Sequence, residues 1–138
     1  MLAEDMTPEE RSDVGLIIIA GGINDVASNQ TAEGVLRGVG DCLDTRDRFF
    51  PDAEVHLFPM PWPAGVPYTD QAAVLESSII GFAGLWGGSV TAHEGGRQWL
   101  GGNLMWGGDA MHPNSAGMRA FARSMACELM AGREVDRK

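Results

Sequence analysis

The chain has 138 residues, 44% of them hydrophobic, with a formal net charge of −9 and a pI of about 4.6. The hydrophobic share argues against global disorder, and the length fits one domain over residues 1–138. The acidic balance argues against nucleic-acid binding and against anionic membrane surfaces, and no apolar run approaches the roughly 18–20 residues that span a bilayer.

The first segment is acidic, with Glu4, Asp5, Glu9, Glu10 and Asp13 against Arg11 alone. It lacks the basic-then-apolar order of a secretory signal, which leaves the compartment open. Thr7-Pro8-Glu9-Glu10 reads as a capping box opening a short helix that ends before Gly15. Val14 to Ala20 is continuously apolar, the pattern of a strand buried on both faces. From about Thr31 to Arg48, Val35, Val39 and Leu43 recur four apart with Leu36 beside them, marking one helix face. Glu54 to Met60 reads as a second strand, stopped by Pro59, Pro61 and Pro63, with a loop as far as Pro67.

A second long helix fits Asp70 to Ala83, and Ser89 to His93 is a short candidate strand. Glu94 to Gly108 is a Gly-rich loop containing Trp99 and Trp106. The last helix runs from about Ser115 to Met130, with Asn114 placed to cap it and Met118, Phe121, Ala122, Met125 and Leu129 on one side. Cys42 and Cys127 fall on helices among apolar neighbours and read as small buried thiols. Alternating strands and helices point to an α/β fold with a parallel sheet between helical layers.

Two short segments carry chemistry. Asp109-Ala-Met-His112-Pro113-Asn114 places a carboxylate and an imidazole three residues apart just before a helix. A neutral imidazole can take a proton from a hydroxyl nucleophile when a carboxylate fixes its other nitrogen. The same spacing also suits a plain helix-start loop in which Asp109 caps a turn and His112 is solvated. Gly21-Gly22-Ile23-Asn24-Asp25 follows the first strand, at the sheet edge where α/β proteins bind ligands. There Gly22 permits close approach of a substrate, and Asn24 can donate to a developing oxyanion; the segment equally suits an ordinary strand-to-helix turn. Trp62 follows the second strand and is a candidate flank of the same cleft, as are Tyr68, Trp99 and Trp106. His56 and His93 read as structural, and no third ligand accompanies Asp109 and His112 to make a metal site.

Together, the Gly-x-Asn-Asp block at Gly22–Asp25 and the Asp-x-x-His block at Asp109–His112 resemble two of the sequence blocks of the SGNH (GDSL-type) ester hydrolases. The likeness runs from about Val14 to Leu129. It implies a three-layer α/β/α fold with a flavodoxin-like parallel sheet, Asp109 and His112 as triad acid and base, and Asn24 as oxyanion-hole donor. It implies hydrolysis of a small ester or acetylated glycan through an acyl-enzyme, with no metal or organic cofactor.

The family's Gly-Asp-Ser nucleophile block has no counterpart. Gly40-Asp41 is followed by Cys42 and Gly108-Asp109 by Ala110, and no serine follows a strand in a sharp turn. The family's sheet order, 2-1-3-4-5, would also leave Val14–Ala20 at an open edge without its central first strand. The expectation is therefore an N-terminally truncated domain. An upstream segment or a partner chain would supply the first strands and the Ser. The alternative is a catalytically inactive module of the same fold that binds a glycan or serves assembly.

Overall fold

Thr7 Oγ1 accepts from Glu10 N at 3.2 Å while Glu10 Oε2 accepts from Thr7 N at 2.8 Å, closing the capping box of α1 (Pro8–Ser12). The computed structural model describes residues 3–22, 24, 25, 28, 30–59, 62, 68–94, 100, 105–109 and 112–135. Thr31 caps α2 (Ala32–Phe49) through Gly34 N at 3.1 Å, and Thr69 caps α3 (Asp70–Ala83) through Ala72 N at 3.2 Å. Each threonine satisfies an N–H group that the first helical turn leaves without an intrahelical partner. The last helix, α4, spans Ser115–Val135.

Strands β1 (Leu16–Gly21), β2 (Glu54–Pro59) and β3 (Val90–Ala92) form a parallel sheet in the order β1-β2-β3. Ile17 lies opposite Val55, and Val55 opposite Val90. The strand period of two then sends Ile17, Ile19, Val55, Leu57, Val90 and Ala92 to one face. There they pack with Val39 and Leu43 of α2 and Ile79, Phe82 and Ala83 of α3. Arg46, buried on α2, reaches across through Nη2 to Ser89 Oγ at 2.8 Å, just before β3. The other face carries His56, Phe58 and His93, and α4 approaches it through Glu128. A separate cluster of Leu100, Trp106 and Phe121 anchors α4 to the loop that precedes it. The architecture is α/β, with helices around a three-stranded parallel sheet.

The edge position expected for the apolar run beginning at Val14 is found: β1 starts at Leu16, lies at the sheet edge, and leaves Ile18 43% exposed. Its reading as a strand buried on both faces is not, because none of its residues is fully buried. Two further expectations change. Cys42 and Cys127 are exposed free thiols, not buried ones. Each sits off the buried stripe of its helix, which runs through Leu43 and Arg46 on α2 and through Gly117 and Phe121 on α4. The same rotation places Met118 and Ala122 outside the packed side of α4, while Phe121 and Met125 remain on it.

The thiol placement is testable: both cysteines should react with Ellman's reagent in the folded protein, giving two equivalents of thiolate release without denaturant. Release that requires denaturant would contradict it.

Candidate active site

The loop before α4 is closed by backbone pairing. Trp106 and Pro113 form an isolated antiparallel bridge, and Gly107 N donates to His112 O at 2.7 Å. Asn114 secures both ends of this closure. Its backbone N donates to Met105 O at 3.0 Å and its Nδ2 to Trp106 O at 3.0 Å. Its Oδ1 accepts from Ala116 N at 2.9 Å and Gly117 N at 3.0 Å, capping α4. Gly117 admits this approach because it has no Cβ: one placed there would lie 2.1 Å from Met105 O.

Within the closed turn, Asp109 Oδ1 accepts from His112 N at 3.0 Å, and Asp109 Oδ2 lies 2.6 Å from His112 Nδ1. The carboxylate therefore orients the imidazole through ring and backbone at once. With Nδ1–H directed at Asp109, Nε2 is the nitrogen left to accept a proton. The side chains are 72% and 53% exposed, so the ring is reachable by a ligand. An ion pair this exposed adds little to stability, so the backbone closure, not charge attraction, sets its geometry.

Other candidates are distributed differently. Gly22 adopts φ 117°, in the region that favours glycine, as the chain leaves β1. Asn24 and Asp25 begin a helical turn in which Asn24 O accepts from Ser28 N at 2.9 Å. Gly22 and Asp25 line a cavity of about 220 Å³ that also includes Phe58 and His93, at the carboxyl ends of the strands. Asn24, Trp62, Asp109 and His112 are not in its lining. No hydrogen bond among the described residues joins Asn24 to the Asp109–His112 pair. Trp62 packs edge-on against Tyr68, with ring centroids 5.3 Å apart. Trp106 is buried against Leu100 and Phe121, so it is core and not a cleft wall. Trp99 lies outside the described residues. Among the described residues, no group of three or more His, Cys, Asp or Glu side chains is arranged to hold a metal ion, and no helix is long and apolar enough to cross a membrane.

One arrangement was not visible in the sequence. His56 Nδ1 lies 2.7 Å from His93 Nε2, His56 Nε2 lies 3.1 Å from Glu54 Oε1, and His93 Nδ1 lies 3.8 Å from Glu128 Oε2. Protons on Nε2 of both rings satisfy the two short contacts: His93 donates to His56, and His56 donates to Glu54. Phe58 stacks on His93 with centroids 4.1 Å apart. The readable signal is strand parity, since positions 56 and 58 on β2 share a face with position 91 on β3 and with 93 just beyond its end. Burial, then the neighbouring His56, hold His93 below its ordinary pKa of 6.5, while Glu128 opposes the shift.

Because the folded state favours neutral His93, the unfolded chain binds a proton more readily below pH 6.5. Stability should be fully present above that pH and fall as the pH drops through the lowered folded value. Urea unfolding between pH 7.5 and 5 should show this slope, and His93→Gln should flatten it; an unchanged slope would contradict the assignment. At the loop, Gly117→Ala should cost about 1–3 kcal/mol by denaturant unfolding, because the methyl group overpacks against Met105. A neutral substitution would mean that the closure is not tight.

No protein-family model, curated protein or solved structure matches the chain.

Proposed function

We propose that this chain contributes the acid–base half of an ester hydrolase, of the carbohydrate- or lipid-esterase type. The observation that carries the reading is the contact between Asp109 Oδ2 and His112 Nδ1 at 2.6 Å, on an exposed ring held by a closed loop. In this reading Asp109 fixes the tautomer, and His112 Nε2 takes the proton from a serine hydroxyl as it attacks the ester carbonyl. His112 then returns the proton to the leaving alkoxide, and water resolves the acyl-enzyme by the same route. Asn24 donates to the oxyanion, and Gly22 and Trp62 flank the substrate. The serine comes from an upstream segment or a partner chain. The SGNH-like order of the Gly-x-Asn-Asp and Asp-x-x-His blocks supports the reading, as does a parallel sheet that precedes the Asp-x-x-His loop.

The test is fluorophosphonate labelling of the protein isolated from its native source with its associated chains, followed by peptide mass mapping. One serine outside residues 1–138 should be labelled. His112→Ala should slow labelling by about 10²–10⁴-fold, the usual contribution of a general base, without lowering the melting temperature. Labelling indifferent to His112→Ala would overturn the reading.

The open edge of β1, with Ile18 43% exposed, favours one second reading: a non-catalytic module of this fold that assembles through that strand. Stable association lost on Ile18→Lys, with no labelled serine in the complex, would favour it.

A further inference from the structure

The cavity between α2, α3 and the carboxyl ends of the strands does not have Asp109 or His112 among its described lining residues, although it shares Gly22 with the proposed ester site, and it has a distinct chemistry. Its walls are apolar, built from Ile19, Val35, Val39, Leu57, Ile79 and Ile80. Its polar side chains are Asp25 and Glu76, with the Cys42 thiol on the α2 side; His93 borders it while its ring nitrogens face His56 and Glu128. Tyr68 OH donates to Glu76 Oε2 and so fixes that carboxylate. Among the described residues, neither Lys nor Arg lines the cavity.

Size and charge together restrict the occupant. A dry cavity of about 150 Å³ holds the six carbons of benzene, so 220 Å³ admits roughly eight or nine heavy atoms on the same scale. A carboxylate or phosphate head would be desolvated beside two like charges, with no lysine or arginine among the described lining residues to pair with it. An ammonium or hydroxyl head would instead donate to Asp25 or Glu76 while its chain fills the apolar walls.

We infer that this cavity binds a single aliphatic chain of about eight heavy atoms whose head donates hydrogen bonds and carries no negative charge. The inference is independent of ester hydrolysis, because the binding is read without turnover.

The two cysteines provide the assay. Both are exposed, Cys42 lines the cavity, and Cys127 on α4 does not. Thiol-alkylation rates at each can be followed by peptide mass spectrometry with octylamine, 1-octanol or octanoate at equal concentration. Octylamine and 1-octanol should slow alkylation of Cys42 at least fivefold and leave Cys127 unchanged, while octanoate should leave both unchanged. Gly38 lines the cavity, and a Cβ there meets nothing within 4 Å. Gly38→Leu should therefore fill the space and abolish the protection, without lowering the melting temperature, since leucine is the better helix former. Saturation-transfer NMR of octylamine on the unsubstituted protein gives a second reading that does not depend on the variant's folding. The inference is overturned if neither octylamine nor 1-octanol protects Cys42, if octanoate protects it equally, or if octylamine shows no saturation transfer. Protection that survives in folded Gly38→Leu overturns it as well.

Discussion

Everything in this molecule depends on β2 being hydrogen-bonded to a parallel neighbour on each side. Parallel pairing forbids tight hairpins, so each connection must recross the sheet, and α2 and α3 are those crossings. Their apolar stripes find a floor because Ile17, Val55 and Val90 share one parity. The same constraint brings Gly21, Phe58 and His93 to a common edge, where the cavity opens. Fold and cavity thus have one origin.

The Asp109–His112 loop obeys a different, more local logic. Its shape comes from the Trp106–Pro113 bridge and the bonds of Asn114, and its attachment to the domain comes from Trp106 packing with Leu100 and Phe121. A solvent-exposed carboxylate–imidazole pair needs such a frame, because its mutual attraction in water is too weak to hold a geometry. The frame lies almost wholly within ten consecutive residues, which is why the pair is organised without help from the distant Asn24.

What the sequence revealed follows this division between local and distant. The capping box at Thr7, the cap at Asn114, the limits of α3 at Asp70 and Ala83 and the proximity of Asp109 to His112 depend on neighbours within a few residues, and all were readable. Cys42, Cys127 and Met118 were misplaced because composition identifies an amphipathic helix but leaves its rotation uncertain by one position. His56 and His93 are 37 residues apart and meet only through strand register, so nothing adjacent to either announced the other. Trp106 illustrates the same limit, since an aromatic residue near a reactive loop has the same composition as core or as rim.

Asn114 also gives the loop a chemical lifetime. Its amide divides two tasks between two atoms: Oδ1 caps the helix, and Nδ2 holds Trp106 O. Deamidation to aspartate would preserve the first task, and the added negative charge would even suit the positive end of the helix dipole. It would destroy the second, replacing a donor with an oxygen that repels the carbonyl it once held. The deamidated protein would then keep α4 and the sheet while losing the seat of its imidazole, so a full helical signal would not report that the loop is intact.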